Sequence, residues 1–513
     1  MWGLDHVRSD PGPPVSDLSA ATVSSADRFG PVRYDRWTQA LLVITVTAAI
    51  LRFWRLGAWS FAGDEAFTLY SSTSDFSWAD PRPLAFAINH FVLIPLLGIS
   101  EFTLRLAPAL TGIAAVPMFG WAVGRLYGRR AGVFTALTMA VSPLLLFHSQ
   151  WARYYMQSYL LAGFVPFAVR FWIEGAGRRW LWIAAACCVA GWFFVPSSSF
   201  ILGGLALWGA ANFRALKGRE LVSWLSRPRV VTGVALAGAA ILGVMLAKGV
   251  LDSSRRDLES IGRSSLPHIV FATGLGLTVP VSLAALGGFF LLSRDRDLSR
   301  PDRTFLPLLM VGSTMCYALA YPFVFIDSVH VVSVLAVVHA AAGVAFDRIW
   351  RAARATAIAA VSVAIILLST APELVSYYVD GDRVDYRTAS EVLRAMHRQR
   401  PGPVLANSHA IVRYYAPELW PREFISSQRP AAWLDDSART SPVWVLLVEH
   451  RNGVNGEGSV PAVQVVMDRC HLRARIARER FDYHVDAIRI YECAPARENY
   501  AASRTVGAAS PSP

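Results

Sequence analysis

Asp64 and Glu65 stand side by side in the run LGAWSFAGDEAFTLYSS, a few residues past the first long apolar stretch of the chain. Adjacent carboxylates at that place have one chemical use. Partial removal from water raises a carboxylate pKa and makes it a better acceptor for the proton of an incoming hydroxyl. The alternative is that Asp64 only caps the short helix following Gly63, a task its side chain performs well. Two more polar groups lie downstream. Asp80-Pro81-Arg82-Pro83 opens a short apolar segment carrying Asn89 and His90, and the run SQWARYYMQSY holds Gln150, Arg153, Tyr154, Tyr155 and Gln157. Arg beside Tyr at a membrane face is ordinary snorkelling and aromatic anchoring when it occurs singly. Carboxylates, guanidinium groups and hydroxyls on one face, next to a flat amphipathic segment, suit a substrate that is half lipid and half polar.

These residues are separated by stretches that only a bilayer accommodates. The 513 residues are 54% hydrophobic and 17% charged, with a mean hydropathy of +0.37, too apolar for one water-soluble body. Apolar stretches run near Gln39 to Phe53, Phe102 to Val123, Ala131 to Phe147, Tyr159 to Ile173, Trp180 to Val195 and Phe200 to Ala211. Five more lie near Val230 to Ala247, Ile269 to Leu292, Phe305 to Phe325, Val329 to Phe346 and Ala355 to Leu368. They predict about eleven transmembrane helices. Leu84 to Leu97 is too short to span, reaching only about 21 Å at 1.5 Å per residue, and it is expected to lie in the interface.

The net charge of +12 does not point to nucleic acid, because the arginines alternate with the apolar runs. With the segment from Leu84 lying flat, one set of loops collects about nineteen basic residues, among them Arg125, Arg129, Arg178, Arg179, Arg294 and Arg348. The opposite short loops hold about five, namely Arg82, Arg153, Arg255, Arg256 and Arg263. This asymmetry places the N-terminus in the cytoplasm and the C-terminal region outside it. No cleavable signal peptide is recognisable in residues 1–30, so the first span is the expected targeting signal.

From about Val384 the composition is globular. A helix over Tyr386 to His397, strand-like runs at Val404 to Ala406, Val443 to Val448, Ile476 and Ile488, and helical segments near Ala410 and Ala462 predict a small α/β domain. Residues 1–36 are expected to form a cytoplasmic tail, 37–372 the membrane domain, 373–494 the extracytoplasmic domain and 495–513 a disordered tail. Cys187, Cys188 and Cys316 fall in apolar spans and are expected to pack as small hydrophobes. Cys470 and Cys493 fall in the outer domain, where pairing is open to them, though spacing alone does not decide it. Glu101 and Arg105, four apart on one helix, are expected to pair with each other.

The motif order resembles the polytopic glycosyltransferases of the GT-C fold that take a sugar from a polyprenyl phosphate. The likeness is to the family 39 type, which includes protein O-mannosyltransferases, aminoarabinose transferases and RgtA-like enzymes. It rests on Gly63-Asp64-Glu65, Pro81-Arg82-Pro83-Leu84 with His90, and Glu101-Phe102-Thr103-Leu104-Arg105-Leu106-Ala107-Pro108. Leu126-Tyr127-Gly128-Arg129-Arg130, Ser142-Pro143 and Ser149-Gln150-Trp151-Ala152-Arg153-Tyr154-Tyr155 complete it. The resemblance covers about the first hundred and sixty residues; the rest agrees only in architecture. It implies an inverting single displacement with Asp64 as base and Glu65 as helper. It further implies donor and phosphate contacts from Arg82, Arg153, Tyr154, His90, Gln150 and His330. Trp151 stands where many relatives carry an acidic residue, and Phe325-Ile326-Asp327-Ser328-Val329-His330 lacks an Arg-Tyr pair that relatives show there. No metal ligand set is assigned, and a divalent metal is left open. The acceptor that the resemblance implies is a glycan, lipid or protein outside the cytoplasm.

Two other classes compete. A transporter or flippase would need ionisable groups deep within its helices. A non-catalytic relative would bind a lipid-linked sugar in cell-envelope assembly, with the acidic pair merely structural.

Overall fold

The computed structural model describes residues 35–216, 269–423 and 440–494. Short breaks fall at 62–63, 81, 271–272, 275, 324–325, 327, 354–355, 381–383, 407–408, 451–452, 455–460 and 478–486. The expected span at Val230 to Ala247 and the two expected tails lie outside the described residues, save Asp35 and Arg36 at the end of the first.

The described residues ahead of the C-terminal sheet domain are predominantly helical. Helix α1 (Arg36–Phe53) starts on a side-chain cap from Asp35 to the Thr38 amide. It leads into α2 (Glu65–Ser72), then α3 (Pro83–Leu97), which contains a π turn over Asn89–Leu93. Helix α4 (Glu101–Tyr127) is capped by Ser100 and ends at Gly128, whose φ of 108° suits a residue without a Cβ. Next come α5 (Arg129–Ala140) and α6 (Pro143–Ser149), bent by 62° where the run expected from Ala131 to Phe147 meets Pro143. Helices α7 (Tyr155–Ile173), α8 (Arg179–Phe194) and α9 (Ile201–Ala211) follow. Beyond the undescribed stretch lie α10 (Val279–Arg294), α11 (Arg300–Ala320), α12 (Leu335–Ala353) and α13 (Thr356–Asp380). Among the described residues four helices are individually long and apolar enough to cross a membrane, and the bent α5–α6 pair makes a fifth. Leu42, Val43, Val46 and Ile50 on α1 and Leu319 on α11 are exposed, the outward apolar surface that lipid covers. The protein is a multi-pass membrane protein with a small sheet at its C-terminal end.

Close packing is made by glycine. A Cβ on Gly132 of α5 would lie 2.2 Å from the Gly120 carbonyl of α4, and one on Gly204 of α9 would lie 2.3 Å from the Leu309 carbonyl of α11. Small residues at such crossings let backbones approach where no hydrophobic driving force acts between helices.

The C-terminal domain has α14 (Tyr386–Gln399), β1 (Val404–Ala406), α15 (His409–Tyr415), β2 (Arg422–Glu423), β3 (Val443–His450), β4 (Gly453–Val454), α16 (Pro461–Arg469), β5 (His471–Ala477) and β6 (Ala487–Cys493). The sheet order is β2-β1-β3-β6-β5, with β1 parallel to β2 and β3, β6 antiparallel to β3 and β5, and β4 hairpinned onto β3. Strand β3 reads as an unbroken apolar run because both its faces are covered. Trp444, Leu446 and Val448 pack with Tyr386, Ala389 and Leu393 of α14, while Val443, Val445 and Leu447 pack with Val463 and Val466 of α16. Cys470 and Cys493 are disulfide-bonded across that second layer, with Cα atoms 4.3 Å apart. The first layer runs on into the membrane domain, since Phe61, Ala66, Leu69, Leu104 and Ala152 belong to the same core.

Candidate active site

The acidic pair is split in two by its environment. Glu65, the first residue of α2, is fully buried, and its carboxylate accepts from Arg105 Nε at 2.9 Å, Arg105 Nη2 at 2.7 Å and the Ala152 amide at 2.6 Å. Arg105 is equally buried, and its remaining donors go to the carbonyls of Leu56, Trp59 and Ser60. The guanidinium of α4 therefore ties Leu56, Trp59 and Ser60 to Glu65. This corrects the expected Glu101–Arg105 pair. An exposed pair at i and i+4 is worth a few tenths of a kcal/mol, and a fork-on-carboxylate contact away from water is far stronger. Glu101 turns instead to Arg387 of α14, 2.6 Å away.

Asp64 sits at the N-cap position of α2 with helical backbone angles and makes no capping hydrogen bond. The capping alternative for Asp64 is thereby removed. Its residue is exposed, whereas Glu65 beside it is sealed. Its backbone carbonyl accepts from Arg153 Nη1 at 3.0 Å.

Arg153 follows a sharp turn at the end of α6, and its Nη2 donates to the Tyr154 hydroxyl at 3.0 Å. Arg82, just before α3, donates through Nη1 to the same hydroxyl oxygen. Both guanidinium groups also lie over the Tyr154 ring, Arg153 at 4.7 Å and Arg82 at 5.2 Å from its centroid. The Nε–H groups of both are buried without a hydrogen-bond partner among the described residues. Two cations meeting on one phenol beside an exposed carboxylate, with Asp80 4.0 Å from Arg82 Nε, make a site for an anionic group next to a proton acceptor.

The other expected site residues have different places. Gln150 donates through Nε2 to the carbonyls of Leu51, Arg52 and Trp54, and its Oε1 accepts from Tyr377 of α13 at 2.8 Å. It ties off the end of α1, so its amide is engaged by the protein. His90 lies with Nδ1 3.0 Å from the Ser72 carbonyl and its ring stacked on Phe76 at 4.5 Å. A carbonyl only accepts, so Nδ1 carries the proton, and the ring braces α3 against the end of α2. His330 packs edge-on against Tyr155 with centroids 6.1 Å apart, at the flank of the Arg153–Tyr154 group. Trp151 is buried against Phe147, His148 and Tyr155. Among the described residues no three His, Cys, Asp or Glu side chains gather as metal ligands. The cluster around Asp64 is cationic and aromatic, which does not fit a divalent metal.

Arg105 was not expected at the site, and neither was Arg52. The Arg52 guanidinium, fully buried in the last turn of α1, donates to Ser149 Oγ at 3.1 Å and to the carbonyls of Ala140 and Met139, each at 3.1 Å. Those carbonyls end α5, where the helix dipole supplies negative charge. Arginine inside an apolar run was the available signal, since such a group must find acceptors.

No protein-family profile matches the sequence, and no curated protein does. Solved structures do match. ArnT from Cupriavidus metallidurans in the apo state aligns with a TM-score of 0.55 at 14% identity, covering 89% of this chain and 98% of that one. The same protein bound to undecaprenyl phosphate aligns at 0.53, 14% identity, 88% and 98%. The oligosaccharyltransferase AglB from Archaeoglobus fulgidus, in complex with an inhibitory peptide and a dolichol-phosphate, aligns at 0.51 and 11% identity, over 80% of this chain and 69% of that one. At such identities the likeness is one of fold, and it is the GT-C fold that the motif order implied.

Proposed function

We propose that this chain, with its GT-C fold, is a membrane glycosyltransferase that moves a sugar from a polyprenyl phosphate to a hydroxyl-bearing acceptor outside the cytoplasm. The convergence of Arg82 and Arg153 on Tyr154 beside exposed Asp64 carries the reading. Polyprenyl phosphates in two of the matching structures agree with it in substrate class.

The acceptor hydroxyl gives its proton to Asp64 while its oxygen attacks the anomeric carbon. The bond from that carbon to the phosphate oxygen breaks with inversion, and the lipid leaves as a phosphate monoester. Arg82 and Arg153 offer N–H groups to the charge gathering on the phosphate, an electrostatic contribution usually among the largest in such steps. Glu65 keeps the loop in place, and Gln150 and His90 hold the frame. The Cys470–Cys493 disulfide supports an oxidising compartment for the C-terminal domain, in agreement with the arginine asymmetry of the loops.

Purified protein incubated with radiolabelled polyprenyl-phosphate sugars tests the reading. Acceptor-dependent loss of donor is expected, and Asp64→Asn should lower it by about 10² to 10⁴-fold while the protein still inserts. Turnover near the wild-type rate in that variant would refute the base assignment. Donor binding without any turnover in the wild type would favour a non-catalytic role.

A further inference from the structure

Away from Asp64 and its arginines, a dense set of polar contacts lies where the C-terminal domain meets the acidic loop. Tyr415, the last residue of α15, puts its hydroxyl between two parts of the membrane domain. The oxygen accepts from the Phe61 amide at 2.8 Å, and the proton is donated to Glu101 Oε1 at 2.7 Å. Glu101 opens α4 and is held in turn by Arg387 of α14. The Phe61 ring is fully buried, 5.2 Å from the Tyr414 ring and 6.5 Å from that of Tyr415. One residue earlier, the Ser60 hydroxyl donates to the Val384 carbonyl at 2.8 Å and accepts from the Tyr386 amide at 3.1 Å. Arg105 grips the same segment from the opposite side through the carbonyls of Trp59 and Ser60. Trp59, Ser60 and Phe61 are thus held by α4 and by the C-terminal domain together.

We infer that Tyr415 is a positioning residue for the transfer reaction: by locking the Phe61 amide three residues before Asp64, it sets where the catalytic carboxylate stands. The C-terminal domain is then part of the catalytic apparatus and not an appendage. The inference rests on the reading of Asp64 as base. Its physical reason is that the Asp64 side chain makes no capping bond of its own, so that, beyond the Arg153 contact to its carbonyl, its position is inherited from the chain on either side. Burial, followed by the hydrogen bond to Glu101 and the charge of that carboxylate, pushes the Tyr415 phenol far above its ordinary range, so the hydroxyl remains a donor throughout the working pH range. A shift of about 1 Å at a reacting group is enough to cost about a hundredfold in rate.

The test uses full-length Tyr415→Phe in lipid nanodiscs, which removes one oxygen and leaves the ring. Amide exchange of the peptide containing Phe61 should quicken at least ~10-fold, and kcat should fall by about 10 to 100-fold with donor KM within about twofold. Arg473→Met, which loosens the far side of the domain at Glu492, serves as the control and should leave kcat alone. Wild-type kcat in Tyr415→Phe overturns the inference, as does an equal loss in Arg473→Met, which would mean that general softening of the domain is responsible. Should wild-type protein show no transfer, the base reading fails separately. The clamp is still decided, because unchanged exchange at Phe61 sinks it whatever the activity.

Discussion

Asp64 and Glu65 are neighbours in the chain with the same functional group, yet burial and partners assign them opposite duties. Glu65 and Arg105 are both fully withdrawn from water, so removing one charge strands the other. Breaking such a pair costs about 3–5 kcal/mol. Glu65→Gln should therefore lower the yield of folded protein and its melting temperature, whereas Asp64→Asn should leave both intact and stop turnover. Equal thermal stability of the two variants would show that the buried pair is not what shapes the loop. Arg82 should separate from both. Its guanidinium is partly exposed and, in the proposed reaction, contributes charge to the donor phosphate, so Arg82→Gln should raise donor KM by roughly 10 to 100-fold, the worth of one charge-assisted hydrogen bond. A kcat effect with unchanged donor KM would move Arg82 out of the phosphate site.

At the scale of elements, the parts of the fold set by local pattern were legible and those set by distant partners were not. Apolar length announced the helices, though it gave Ala131 to Phe147 as one run where the chain bends at Pro143, and the strand-like runs at Val404, Val443, Ile476 and Ile488 all became strands of one sheet. Asp64, Arg82, Arg153 and Tyr154 were legible as a group because short polar runs among apolar spans have few places to go. The partners of Glu65 and Glu101 were not legible. Arg105 competes for an acid one helical turn away and another forty residues away, and only the three-dimensional path of the loop decides between them. Gln150 misled for a related reason, since an amide next to the signature Arg looks like a ligand contact until the end of α1 is seen to need its donors. The glycine crossings follow the same logic and give a prediction. Gly132→Leu places a side chain where the Gly120 carbonyl stands, forcing α5 off α4 and with it the Arg52 contacts at the end of α5. Loss of extractable folded protein is expected for Gly132→Leu, while Gly209→Leu, where a Cβ meets nothing within 4 Å, should extract normally. Comparable loss in both would mean that close helix approach is not the limiting feature.

For the whole molecule, one apolar core joins the C-terminal domain to the loop that bears Asp64, and the stability of that domain can be varied at a place remote from this junction. Glu492 of β6 offers a way to vary it without touching the loop. Its side chain is buried, and burial alone would push its carboxyl upward. Hydrogen bonds and charge from Arg400 and Arg473, each 2.6 Å away, outweigh that and hold it below the usual glutamate range. A carboxyl whose folded pKa is depressed stabilises the fold above its unfolded pKa, near 4.3, and that stabilisation is lost as pH falls through the lower folded value. Because both arginines are about half exposed, the gain is expected to be no more than about 1 kcal/mol. The melting temperature of the domain, followed by tryptophan fluorescence between pH 7 and acid, should be flat near neutrality and decline below about pH 4.3. Glu492→Gln should show a lower plateau and a shallower acid decline, since its folded and unfolded forms no longer differ in proton uptake at that position. An acid slope as steep in Glu492→Gln as in the wild type would assign the loss to other carboxylates and remove Glu492 as the acid-sensitive tie of the C-terminal domain.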